Sequence, residues 1–283
     1  MAQPIRRKST VQKNKPRLFG KWFLVVFSFF LLLIITIGIY KFRDGFLYYL
    51  GFKTDKYANE LSADERKLTD IRIYEVLHKH DNKAIGFDVS EYQSEIDWEQ
   101  TYHIDEAFEL SFVFIRSTAG KDKIDSKFKE NWKAAKERQL IRGAYHYYRP
   151  NENSIEQAEN FIKTVKLQKG DLPPVLDIEK LPKSQSIDSL KVGLRRWLNR
   201  VEKHYKVKPI IYSGESYYTD FLKEEFSEYP LWIANYNFWR NDLESDWQFW
   251  QFTEKAQIEG IKGMVDINIF NGDKNKLLLK CIR

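Results

Sequence analysis

The hydrophobic and polar positions divide the chain into three patterns. The first is an unbroken apolar run, "WFLVVFSFFLLLIITIGIY", from Trp22 to Tyr40, with no charged residue. As a helix it rises about 28 Å, close to the hydrocarbon thickness of a bilayer. The second pattern, within residues 41–83, is "LSADERKLTDIRIYEVLHKHDNK", where Ser62 and Glu65 have capping-box spacing. Leu68, Ile71, Tyr74 and Leu77 then recur at three-residue steps. That spacing predicts one amphipathic helix, packed on the following domain or holding it off a membrane.

The third pattern begins at Ala84, where short apolar runs alternate with longer polar or amphipathic segments. Strands are predicted over 84–90, 111–117, 141–148, 174–179, 208–213, 231–236, 247–252 and 264–270. Helices are predicted over 126–139, 154–167, 186–204 and 216–225. Strands that alternate with helices pair in parallel, and this many in about 200 residues predict an α/β fold, an eight-stranded TIM-like (β/α) barrel with shortened last connections. An open doubly wound sheet is the alternative, weakened by the lack of a Gly-rich phosphate loop after the first strand.

Within the strands, side chains two positions apart share a face. In the first, Ile85, Phe87 and Val89 oppose Gly86, Asp88 and Ser90. In the fourth, "VLDIEK", Leu176 and Ile178 oppose Val175, Asp177 and Glu179. In the last, Val265, Ile267 and Ile269 oppose Asp266, Asn268 and Phe270. The apolar stripes are expected to face the helices. The acids are expected in the barrel mouth, at the C-terminal ends of their strands, where parallel barrels build their active sites.

Acids gathered in one cleft repel one another in a low dielectric, so one keeps its proton while another stays ionised. Glycoside hydrolysis requires that division: an acid for the leaving oxygen and an anion for the oxocarbenium-like centre. Metal binding is the rival use of clustered carboxylates, with His146 the histidine placed to help; the His78 and His80 pair reads as a solvated helix end. Tyr145, Tyr147, Tyr212, Trp232, Tyr236 and Gln251 are the candidate substrate contacts. Trp250 is a further ring near a strand end. Flat rings with polar edges suit the faces of a sugar.

Charge changes the picture at one end only. The formal charge is +6, but residues 1–21 hold seven cations and no acid, leaving 39 basic against 40 acidic residues elsewhere. The folded part gives no electrostatic case for a nucleic-acid partner. Cations before an apolar run hold the N-terminus in the cytoplasm by the positive-inside rule. No small-residue cleavage site follows the run, which favours an uncleaved anchor over a signal peptide. The single cysteine, Cys281, excludes an internal disulfide and a Cys-based metal site.

The segments "IGFDVSEYQSEIDW", "GAYHYYRP", "PVLDIE", "IYS", "LWIANY" and "FWQFTEKAQIEGIKGMVDINIFNG" resemble, in order and spacing, the glycoside hydrolase family 25 lysozymes. The resemblance covers 84–272. It implies a somewhat flattened barrel, no cofactor, no metal, and cleavage of the β-1,4 bond between N-acetylmuramic acid and N-acetylglucosamine in peptidoglycan. It also implies Glu179 as general acid, Asp177 as its partner, and Asp88 and Asp266 as supporting carboxylates. A non-catalytic glycan-binding module on the same fold is the alternative reading. Two departures concern the rim: "RSTAG", with Arg116 and Ala119 where a Glu often stands, and "EYQS" after the first strand.

The expected organisation is a basic cytoplasmic tail (1–21), a transmembrane signal anchor (22–40), a stalk (41–83) and a catalytic domain (84–283). That domain is expected to act as a monomer on the extracytoplasmic side of the cytoplasmic membrane, on peptidoglycan glycan strands.

Overall fold

The computed structural model describes residues 18–54 and 61–283. Most of the basic tail lies outside the described residues. The chain forms two compact units, residues 1–47 and 48–283. Helix α1, Leu18–Thr54, contains the apolar run, and Trp22–Lys41 is long and apolar enough to cross a membrane. Between Trp22 and Tyr40 its large apolar side chains are exposed, and the Thr36 hydroxyl donates to the Leu32 carbonyl (2.8 Å), so this polar group is satisfied within the helix. The helix continues past the sequence-predicted end at residue 40.

In the second unit, helix α2, Ala63–Lys79, carries the expected capping box at Ser62 and Glu65. Its buried face differs from the predicted one. Thr69, Arg72, Ile73, Val76 and Leu77 are buried, whereas Ile71 and Tyr74 are exposed. The buried face includes Arg72, a cation that a periodicity of apolar residues passes over. His80 also departs from the solvated reading: it is buried, its Nε2 bonds to the Asn241 carbonyl (2.9 Å), and its ring meets Trp250 edge-on.

All eight strands occur: β1 Ile85–Val89, β2 Phe108–Ala119, β3 Ile141–Tyr147, β4 Val175–Asp177, β5 Ile210–Gly214, β6 Leu231–Ala234, β7 Trp247–Ala256 and β8 Val265–Phe270. Neighbouring strands pair in chain order from β2 to β8, β8 pairs with β1, and β1 pairs with β2 to close the barrel. Helices α3 (Phe128–Glu137), α4 (Ser154–Thr164) and α5 (Ile187–Tyr205) connect the earlier strands. Side-chain caps start two of them, Asn153 for α4 and Ser186 for α5. The segments joining β6 to β7 and β7 to β8 contain no helix.

One expectation is corrected. β8 runs antiparallel to both β1 and β7. Asp266 therefore lies at the N-terminal end of its strand, and the reversal brings it to the same mouth as the C-terminal end of β1. The segment 257–264 between β7 and β8 is shorter than the crossover of about a dozen residues that parallel neighbours need.

Strand parity sorts the core into two layers. Ile85, Phe87, Val89, Leu176, Ile178, Val265, Ile267 and Ile269 pack in the layer shared with the helices. Phe112, Phe114, Val175, Tyr212, Trp232, Phe249 and Phe270 fill the barrel interior. Phe114 stacks on Trp232 with ring centroids 4.3 Å apart. Gly86 and Gly143 make room for these rings, since a Cβ at either would lie 2.4–2.5 Å from Phe112 or Phe114 atoms. The interior below the mouth is thus packed, and any site must sit above it.

Candidate active site

Each acid reaches the mouth by a different route. Asp88 on β1 stands directly across from Asp266 on β8. Asp177 ends β4, between Tyr147 of β3 and Tyr212 of β5. Glu179 lies two residues beyond that strand, where the chain is held by Ile178 N donating to Tyr212 O (3.0 Å) and Ser213 Oγ donating to Ile178 O (2.7 Å). Glu179 is exposed, whereas Asp88 and Asp177 are buried and Asp266 partly so.

All four acids line one cavity of about 270 Å³, together with Tyr145, Tyr147, Tyr212, Trp232, Tyr236 and Gln251. Trp250 does not: it points to the opposite face, fully buried, and its indole N–H donates to the Asn235 carbonyl (2.9 Å). A larger groove, about 880 Å³, lies at the other end of the barrel against Lys208, Trp247 and the last residues of the chain. It has no convergent set of carboxylates.

A hydrogen-bond network forms the cavity floor. Asp88 Oδ2 accepts from Gln251 Nε2 and Asn268 Nδ2, both at 2.8 Å. Asn268 Oδ1 accepts from the Trp232 indole (2.8 Å). Gln251 Oε1 accepts from the hydroxyls of Tyr212 (2.8 Å) and Tyr236. Each amide thus donates to Asp88 while its oxygen is engaged elsewhere, which fixes the orientation of both. Trp232 is buried, and serves as floor rather than as an open platform.

Burial dominates the titration of the acids. It raises Asp88 to about 7; the Asn268 and Gln251 donors pull the value down and the Glu179 charge pushes it up. Burial, followed by Glu179 and Asp88, raises Asp177 well above the usual carboxylate range, with Arg116 opposing. Burial, followed by Asp88, Glu254 and Glu179, raises Asp266 likewise. Asp177 Oδ1 is buried with no hydrogen-bond partner among the described residues. These buried carboxyls therefore favour their protonated forms beside a more accessible one.

Asn268 of the floor network, and Glu254 and Arg116 of the cavity lining, escaped the sequence reading of the site. Asn268 was visible as a member of the inward stripe of β8, but its amide was not weighed. Glu254 lies where three steps of β7 pair against two of β8, a bulge that strand alternation cannot anticipate. Arg116 was noted only as a departure. Its Nε bonds to Asp125 (2.8 Å), a terminal nitrogen reaches Glu91 (3.1 Å), and its guanidinium lies 4.5 Å from the Tyr92 ring centroid. The two departures from the family pattern thus meet on one side of the rim. Lys123 foremost, with Ser126 and Arg116, holds the Glu91 carboxyl down to about 2.

His146 is removed from the acids by parity. It bonds to Thr118 Oγ1 (2.7 Å) and Gln157 Oε1 (3.2 Å), and burial lowers its pKa to about 3. Its ring stacks on Trp197 among the helices. A histidine there cannot complete a ligand set in the cavity. Among the described residues, no group of three or more His, Cys, Asp or Glu side chains is arranged to hold a metal ion.

Residues 87–261 match the sequence model of Glycosyl hydrolases family 25. Lysozyme M1 of Streptomyces globisporus is 32% identical over 208 residues, covering 68% of this chain and 69% of that protein. The uncharacterized protein YegX of Escherichia coli (strain K12) is 42% identical over 194 residues, covering 68% and 71%. The solved structure of a family 25 glycosyl hydrolase from Bacillus anthracis superposes with a TM-score of 0.63 at 29% identity, covering 71% of this chain and 95% of that one. An acid-lined barrel mouth, the matched residues and these relatives agree: the chain belongs to glycoside hydrolase family 25.

Proposed function

We propose that this glycoside hydrolase is a membrane-tethered muramidase. It cleaves the β-1,4 bond between N-acetylmuramic acid and N-acetylglucosamine in peptidoglycan. The observation that carries the reading is the contrast within one cavity: an exposed Glu179 beside the buried Asp177 and Asp88 and the partly buried Asp266. Glu179 is the group a glycosidic oxygen can reach from solvent. A glycan lying over the mouth would strip water from it beside other carboxyls, conditions under which a carboxyl holds a proton for the leaving oxygen.

Asp177 acts beside Glu179 in the same cavity. Its unpartnered Oδ1 is free to meet either the sugar's acetamido N–H or the developing positive centre. Asp88, fixed by two amides, and Asp266 tune the local charge and hold sugar or water. Tyr145, Tyr147, Tyr212, Tyr236 and Gln251 shape the walls that contact substrate, over the Trp232 floor. Lysozyme M1 supports the substrate class by its name. The apolar Trp22–Lys41 segment supports a single anchor, with a cytoplasmic N-terminus and the catalytic domain facing the cell wall.

Digestion of purified peptidoglycan with the full chain, followed by product mass analysis, tests the reading. Fragments with reducing-end N-acetylmuramic acid are expected. Saturable binding without products would favour a glycan-binding module, and loss of activity with chelator a metal-dependent enzyme.

A further inference from the structure

Helix α2 precedes the family-matched residues 87–261, yet it is bonded to the loop that shapes one wall of the cavity. Arg72, 1% exposed, donates to Asn241 Oδ1 (2.7 Å), to the Asn237 carbonyl (3.1 Å) and to the Arg240 carbonyl. Its guanidinium also lies 5.9 Å from the Trp250 ring centroid. His80 holds the Asn241 carbonyl from the end of the same helix. Arg66 reaches the Lys255 carbonyl on β7 (3.4 Å).

The segment 235–241 gripped in this way carries Tyr236, whose hydroxyl bonds to Gln251 Oε1; Gln251 in turn donates to Asp88. The loop's other attachments lie on the barrel. Asn235 N donates to the Gln251 carbonyl (3.1 Å), Trp250 donates to the Asn235 carbonyl, and Asn235 and Arg240 bond to Glu215. A helical connection like those between the earlier strands is absent between β6 and β7. Three backbone or amide oxygens of the loop converge on Arg72 instead, and a fork of guanidinium donors suits such a task.

We propose that α2 is the outer buttress of the cleft, with Arg72 a positioning residue that sets Tyr236 against Gln251 and so orients the floor beneath the substrate. The proposal rests on reading this cavity as the glycan-cleaving site. Residues 61–83 then act as more than a spacer between span and barrel. A chain cut back to residues 84–283 would keep its acids and lose their alignment.

The test uses the full chain in detergent. Arg72→Met should lower kcat on solubilised peptidoglycan roughly tenfold or more while KM changes little, since small misplacements act on the transition state. Arg72→Lys should recover part of that loss, and Glu75→Ala, on the exposed face of α2, none should be lost. Hydrogen exchange of residues 235–241 should quicken in Arg72→Met, a readout that needs no substrate. Faster exchange in a chain whose wild type cleaves nothing would leave the buttress standing and remove the functional reading. A lowered Tm with unchanged kcat, KM and exchange well below the melt would overturn the buttress. Should Arg72→Met fail to fold, Asn241→Ala removes one acceptor from the loop side and is read by the same measurements.

Discussion

A buried carboxyl without a cationic partner opposes folding once it must ionise. Asp88, Asp177 and Asp266 all have pKa values raised first by burial. The native state therefore holds protons that the unfolded chain has released, and stability falls as pH rises from the ordinary carboxylate range through about 7, the value for Asp88. Thermal melts of the full chain at pH 5 and pH 8 should show the lower Tm at pH 8. Asp177→Asn should raise Tm at pH 8 and flatten the dependence. An unchanged slope in that variant would remove Asp177 from the group of raised acids. A site that stabilises the protein when neutralised is one retained for chemistry. The sequence allowed these acids to be placed on one face because alternation has a period of two. It did not disclose that Gln251 and Asn268 would fix Asp88, because an amide in a strand gives no sign of which neighbour it will meet.

At the scale of elements, parity was legible and direction was not. Val265 to Phe270 alternates identically whichever way the strand runs, so the antiparallel β8 could not be read from its pattern, although its short connection to β7 was a clue. The same blindness hid Glu254, since the β7 bulge breaks the alternation beyond the predicted strand end. In α2, periodicity located the helix, its cap and the buried Leu77, but placed the exposed Ile71 and Tyr74 on the packed face and passed over the buried Arg72. The tight approach at the strand glycines was not part of the sequence reading. Gly86→Ala would place a Cβ 2.4 Å from the Phe112 carbonyl oxygen, a backbone atom that cannot rotate away. Overpacking of that kind should cost about 1–3 kcal/mol, read as a lower denaturant midpoint with an unchanged m value. No loss of stability would mean that β1 and β2 are less tightly registered than the β1–β2 pairing requires.

For the whole molecule, the order of elements and the closed barrel followed from the alternation of apolar runs with amphipathic segments, and the position of the acids followed from the barrel. The proposed function then rests on one division of labour: an exposed Glu179, with Asp88 and Asp177 buried and Asp266 partly buried beside it. The proposed membrane tether adds location to that chemistry but supplies none of it. The central claim is that Glu179 delivers the proton to the departing sugar oxygen, and Glu179→Gln tests it most directly because it preserves shape and removes the proton. Release of new reducing ends from purified peptidoglycan should fall roughly 10²–10⁴-fold in that variant, with Tm and glycan binding retained. Undiminished release would contradict the assignment.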